Sequence, residues 1–403
     1  MATGVGGSDI KTELEKFTDL TTDVSPISKD EYKARLEKAS HLLQENGLEA
    51  LYVHAGTNLL YFTGTKWKPS ERMVGALITA KGTLDYIGPA FEEGTINSFM
   101  GVEGDLHCWE EHESSSALLS NIVASRGINS GTIAIDENVP FFISEAIRAS
   151  LDSYTLTDAT PVTAGCRMYK SDNEIALLQR AKDITMAVQK ATARILRPGI
   201  TAQEVTSFIH EAHVRSGIPT GSYFCIVLFG EDTQYPHGVP QPGPLKDNDV
   251  VLVDTGCQLH GYISDITRTY VYGTPTDRHR EIWNLEKATQ LAAFEAAQLG
   301  APCSAVDIAS RRVIEAAGLG PDYKLPGLPH RTGHGTGLDI HEHPYFVRND
   351  ERPLEKGMVV SVEPMICMPG EFGIRHEDHL YMTDNGPKWF TEPMPSIDAP
   401  FGN

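Results

Sequence analysis

Val250 to Tyr272 reads VVLVDTGCQLHGYISDITRTYVY, and the fold is decided in these residues. The run opens on apolar, β-branched positions and ends its first arm at Asp254. A turn near Leu259-His260-Gly261 then sends the chain back through Ser264 to Tyr272, which predicts a hairpin. Centring that turn sets Asp254 opposite Asp265. Cross-strand Cβ atoms lie only about 4.5–5.5 Å apart, so two carboxylates there repel unless a proton or a cation intervenes. A metal ion resolves the conflict.

The same device recurs downstream. Leu354 to Glu363 (LEKGMVVSVE) parallels Leu245 to Asp254 (LKDNDVVLVD), and Glu363 and Glu377 flank a turn at Pro369 to Gly373 whose centring pairs them. Farther upstream, Pro198-Gly199-Ile200-Thr201 runs on to Gly217, and Leu299-Gly300-Ala301-Pro302 to Gly318, at one constant offset. Each half therefore reads helix, Gly-rich turn, helix, then a Val-rich strand ending in an acid, which predicts a duplicated unit with pseudo-twofold symmetry. Singly, each acid reads equally well as a cap or a surface charge; pairing singles them out. His334 sits in Arg331 to Gly337 (RTGHGTG), where three glycines allow close backbone approach and leave the imidazole free to reach inward. One histidine with four carboxylates is a hard, oxygen-rich set, better suited to two Mn²⁺ ions than to thiolate-seeking zinc. Two such ions, about 3.5–4 Å apart, can share a bridging hydroxide in a hydrolysis.

The rest of the chain bounds this reading. With 403 residues, 40% of them hydrophobic, disorder and fibre are excluded and two domains are predicted. Acidic residues number 54 against 34 basic, a net charge of -20, which disfavours nucleic acid and anionic membranes as partners. Met1 to Ser8 lacks both the basic and the apolar region of a signal peptide. The six cysteines are widely spaced, without a C-x-x-C pair, which argues for a reducing cytoplasm. Helices are predicted at Ser28 to Asn46, Ser115 to Ala124 and Phe142 to Ala149, and strands at Leu51 to Val53, Val74 to Thr79, Leu84 to Ile87 and Thr132 to Ile135. His107, His112 and the glutamates around Trp109 read as a solvated face. The expected architecture is α/β and α+β: an amino-terminal α/β domain over 1–165 with a flexible leader, then a catalytic domain over 166–403. A capping box at Ser171 to Glu174 opens the latter.

Asp254, Asp265, His334, Glu363 and Glu377, in this order and at these intervals, resemble the five ligands of the pita-bread metallopeptidases: methionine aminopeptidase, aminopeptidase P and prolidase. His330 to Glu342 (HRTGHGTGLDIHE) and Arg375 to Asp378 (RHED) resemble the proline-specific branch. The resemblance implies that Asp254 chelates one metal, that His334 and Glu363 hold the other, and that Asp265 and Glu377 bridge both. It further implies that Glu363 shuttles the proton, that His341 polarises the scissile carbonyl, that His237 lies near the leaving group and that Arg375 stands beside the bridging glutamate. His330 is expected to line the same pocket. The implied cofactor is two divalent ions, Mn²⁺ first and Co²⁺ or Zn²⁺ next.

The implied activity is hydrolysis before proline, foremost in Xaa-Pro dipeptides, with Xaa-Pro aminopeptidase or a non-peptidase hydrolase of the same fold as alternatives. The implied assembly is a homodimer or homotetramer. Two departures stand out: Cys367 replaces a tyrosine common among relatives, and Tyr345 follows His341-Glu342-His343-Pro344 where some prolidases carry a carboxylate-gripping arginine. Arg348 is the nearest substitute for that arginine, and Arg352 the next. A creatinase-like enzyme without metal and a non-catalytic scaffold are both disfavoured by the complete ligand set.

Overall fold

The computed structural model describes residues 2–402. The chain divides into two compact units, one of Ile27–Arg167 and a larger one joining Met1–Pro26 to Met168–Asn403. This corrects the expected boundary at 165/166 and the expected flexible leader. Apolar burial is the reason: Ala2 and Val5 lie in one core cluster with Val188, Ile195 and Phe208. The Gly6 N–H also donates to the Ala193 carbonyl at 2.8 Å, and Arg180 Nη1 to the Leu20 carbonyl at 2.9 Å.

The Ile27–Arg167 unit is built on a six-stranded mixed sheet in the order Asp105–Trp109, Leu84–Pro89, Gly75–Thr79, Ala50–His54, Thr132–Ile135, Thr155–Asp158. Helix Lys29–Glu45 starts where Ser28 Oγ accepts the Glu31 N–H. Helices Ser115–Ser125 and Phe141–Ser150 pack Leu119, Ile122, Ile143 and Ile147 on the sheet core. The four predicted strands are present; the two that the sequence hid are the edges. Edge strands bury less, so their apolar signal is weak, and Thr155–Asp158 is polar along almost its whole length. Glu110, Glu111 and His112 are exposed, as a solvated face requires; His107 alone departs from that reading, its Nε2 lying 2.8 Å from buried Asp85.

The larger unit repeats one motif. Helices Asp172–Ile195 and Ala202–Arg215 precede an antiparallel sheet ordered Ile266–Val271, Val250–Leu259, Ser222–Phe229. Helices Asp277–Ala296 and Cys303–Ala316 precede a second sheet ordered Glu342–Phe346, Gly333–Gly335, Val359–Val362, Asp378–Thr383, Gly386–Trp389. The capping box at Ser171 and Glu174 is formed. The second helix of each half stops at a glycine with positive φ, Gly217 at 94° and Gly318 at 82°, the left-handed end that a side chain resists.

Each helix pair covers one sheet face. Val251 and Val253 pack with Val188 and Ile209, and Val360 and Val362 with Ala293 and Val306. Period-two alternation then turns Asp254 to the opposite face. Among the described residues, no helix is long and apolar enough to cross a membrane.

Candidate metal centre

Register decides how the acids meet. Asp254 pairs with Thr267, not with Asp265, which corrects the expected facing by two residues. The turn consists of His260 and Gly261 alone, both with positive φ, 49° and 97°, and Leu259 still pairs with Tyr262. A two-residue turn of this kind matches strand twist. It shifts the partner strand by two residues and leaves Asp265 as a diagonal neighbour of Asp254. Glu363 and Glu377 do face each other: Val362 pairs with Asp378 on one side of them and Met365 with Arg375 on the other.

The structure gathers the five residues into one buried cluster. Asp254, Asp265, His334 and Glu377 are buried and Glu363 is half-buried. His334 Nε2 lies 3.2 Å from Glu363 Oε1 and 3.6 Å from Asp265 Oδ2. His334 Nδ1 lies 3.0 Å from the Gly335 carbonyl; a carbonyl can only accept, so Nδ1 carries the proton. That leaves Nε2, which faces the carboxylates, as the nitrogen able to ligate a metal. Close backbone approach makes this possible, since a Cβ on Gly333 would lie 1.9 Å from the Ser361 oxygen. Asp254 Oδ1 and Glu377 Oε1 are buried without a hydrogen-bond partner.

Electrostatics carry the same message. Burial, and then the charges of Asp254 and Glu363, push the Asp265 carboxyl well above its usual range. Burial, followed by Asp265 and Glu363, does so for Glu377. Burial opposes ionisation of Glu363 as well, but attraction to His334 prevails and holds it down to about 2. Buried acids that repel one another, orphaned carboxylate oxygens and an imidazole nitrogen aimed at them are what divalent cations satisfy, so the residues present fit a metal centre.

The surrounding residues are placed as follows. Arg375 is buried; its Nη2 donates to Asp254 Oδ2 at 2.7 Å, its Nε to Thr267 Oγ1 at 3.0 Å and its Nη1 to the Pro236 carbonyl at 3.0 Å. It thus ties Asp254 to the loop carrying His237, which is exposed. The His341 ring lies 4.2 Å from that of His334, centroid to centroid. Desolvation first, and His334 second, lower its pKa to about 4. His330 Nδ1 donates to the Arg331 carbonyl at 2.7 Å. Arg348, in contrast, is joined to Asp322 at 2.6 Å, not to the nearby Asp350. Cys367 lies in an apolar cluster with Met365 and Ile374, and burial pushes its thiol up to about 12, so it packs where relatives carry a phenol.

Three neighbours were not foreseen. Thr267 Oγ1 donates to Glu377 Oε2 at 2.8 Å, and its signal was its place two residues after Asp265. His379 brings a nitrogen near Asp265 and Glu377 and lies two residues after Glu377. Lys182 is wholly buried without a hydrogen bond. Burial lowers its pKa to about 8 while Asp265 and Glu377 pull it upward. Nothing in its helical sequence context distinguishes it from a surface lysine.

Comparison with known proteins now places the chain. The model of metallopeptidase family M24 matches residues 176–384, and the creatinase/prolidase N-terminal domain matches residues 35–169. The chain belongs to metallopeptidase family M24. This M24 protein is 33% identical to the putative dipeptidase YkvY of Bacillus subtilis over 87% of its own length and 96% of that protein's. It is 32% identical to the Xaa-Pro dipeptidase of Lactobacillus delbrueckii subsp. lactis, covering 88% of this chain and 96% of the other. Among solved structures, the dipeptidase PepE from Mycobacterium ulcerans superposes with a TM-score of 0.84 at 30% identity, covering 91% of this chain and 97% of that one.

Proposed function

We propose that this M24 protein is a dinuclear-metal hydrolase that cleaves the peptide bond before proline, chiefly in Xaa-Pro dipeptides. The observation that supports the reading most is the buried cluster of Asp254, Asp265, His334, Glu363 and Glu377 with its orphaned oxygens. In this reading Asp254 would hold one cation, His334 and Glu363 would hold the other, and Asp265 and Glu377 would serve both. Mn²⁺ is the first choice for a set rich in carboxylates, with Co²⁺ or Zn²⁺ next. Such cations, when bound, supply Lewis acidity and lower the pKa of water.

The chain's own groups do the rest. Glu363, the acid its surroundings keep ionised, takes a proton from water as its oxygen bonds to the scissile carbon. That proton passes to the proline nitrogen as the C–N bond breaks. His341, neutral at pH 7, donates to the carbonyl oxygen as charge develops there. His237 and His330 line the leaving-group side, and Arg375 fixes Asp254. A dedicated pocket is needed because the imide nitrogen of proline offers no N–H for ordinary peptidases to grip. We place the enzyme in the cytoplasm, in keeping with six unpaired cysteines, as a homodimer or homotetramer.

Metal analysis combined with turnover of Ala-Pro, Ala-Pro-Ala and Met-Ala tests the reading. Ala-Pro should be cleaved fastest, chelation should stop it, and Mn²⁺ or Co²⁺ should restore it. Preference for Ala-Pro-Ala would identify an aminopeptidase, and no peptide turnover would leave a non-peptidase hydrolase or a scaffold.

A further inference from the structure

Most arginines in and around the centre are already engaged, among them Arg268 with Asp378 and Arg311 with Asp307. Arg375 is bound to Asp254, Arg348 to Asp322, and Arg352 lies 3.9 Å from Asp350 and 3.1 Å from His343 Nδ1. Arg331 is different. It is half-buried, and its guanidinium lies 4.2 Å over the Tyr345 ring. A part-buried guanidinium stacked on an aromatic face and, among the described residues, left without an anion keeps a desolvation cost that a carboxylate would offset.

Its position is fixed from both sides. Arg311 Nη2 donates to the preceding His330 carbonyl at 2.7 Å, and Asp307 Oδ1 accepts from both the N–H and the hydroxyl of the following Thr332. Tyr345, on which the guanidinium rests, is the cross-strand partner of His334. Directly opposed residues of an antiparallel pair project from the same face, so the Tyr345 ring, the His334 imidazole and the His341 ring against it share one side of the sheet. Arg331 therefore presents its fork beside the metal-ligating histidine and the exposed His341.

We propose that Arg331 takes the free carboxylate at the substrate's C-terminus and so sets the site to dipeptides. The inference rests on the Xaa-Pro dipeptidase reading above. A planar guanidinium meets a carboxylate with two parallel hydrogen bonds, which a lysine cannot reproduce.

The test compares kcat/KM on Ala-Pro and on Ala-Pro amide, whose terminus is uncharged, in wild type, Arg331→Gln, Arg331→Lys and Arg348→Ala, each checked for metal content and melting temperature. Wild type should prefer the free acid. In Arg331→Gln that preference should fall roughly tenfold to a hundredfold, the usual size of a lost charge-assisted hydrogen bond, and mainly through KM. Arg331→Lys, which keeps the charge, should retain part of it and reads the fork alone if the glutamine variant does not fold. Calorimetric titration of the loaded enzyme with proline should show the same weakening without turnover. Wild-type turnover with an unaltered preference in both Arg331 variants, or a preference lost only in Arg348→Ala, would remove Arg331 from the site while leaving the dipeptidase reading intact. Absence of wild-type turnover on Ala-Pro would overturn that reading, and the inference with it.

Discussion

Asp265 and Glu377 occupy equivalent places in the two halves, each just ahead of a strand, Ile266–Val271 and Asp378–Thr383. Burial and neighbouring acids raise both pKa values, so in the ionised state both depend on cations. Asp265→Asn and Glu377→Gln keep shape and lose charge. Each should reduce turnover by more than the roughly tenfold to hundredfold loss typical when a mere supporter of a ligand is removed, and metal content should fall in parallel. More than a few per cent of activity in both variants, at full metal content, would show that neither carboxylate bridges. At this scale the sequence was readable because paired acids and a glycine-flanked histidine are rare combinations. Lys182 was not, since its burial depends on Phe390, whose ring its ammonium faces at 5.3 Å, far along the chain.

Helix Ala202–Arg215 carries His213 against strand Ser222–Phe229, with Nδ1 3.0 Å from Ser222 Oγ and Nε2 3.3 Å from Thr185 Oγ1. Burial first, and His210 second, lower its pKa to about 3. In the unfolded chain the same imidazole takes a proton near pH 6.5. The stabilisation it gives is thus whole above pH 6.5 and is lost as pH falls from 6.5 toward 3, by up to about 1.4 kcal/mol per pH unit. Urea unfolding of chelated protein between pH 7.5 and 4.5 should be steeper in pH for wild type than for His213→Gln. Equal slopes would mean that the helix–strand contact tolerates the imidazolium. Capped helices and Val-rich central strands were legible here, because caps and apolar runs are local signals. The edge strands Asp105–Trp109 and Thr155–Asp158 were not, because pairing on one side leaves little burial to write into sequence.

At the scale of the whole chain, the clustered residues come from both halves of the duplicated unit, so a cation bound among them would crosslink segments distant in sequence. Binding to the folded state alone stabilises by mass action, about 2.7 kcal/mol at a hundredfold excess over Kd. Mn²⁺ added to chelated protein should therefore raise the melting temperature by roughly 5–10 °C for a unit of this size. Hydrogen exchange should slow around Asp254, Asp265, His334 and Glu363, and not in Ile27–Arg167. Slowing confined to Ile27–Arg167, or no thermal shift, would place the metal elsewhere.

The sequence by itself determined the duplicated unit, the five clustered residues and the pairing of Glu363 with Glu377, because turns and strand ends are local and their arithmetic survives without coordinates. Only the tertiary structure decided that Asp254 faces Thr267 and that the leader packs on the larger unit. The first hangs on where the turn is centred, a choice His260 and Gly261 settle by accepting positive φ. The second hangs on apolar partners such as Val188 and Phe208, which no local pattern around Ala2 and Val5 can announce. Likewise, which arginine stays without an anion, Arg331 or Arg348, depends on where Asp322 falls in space.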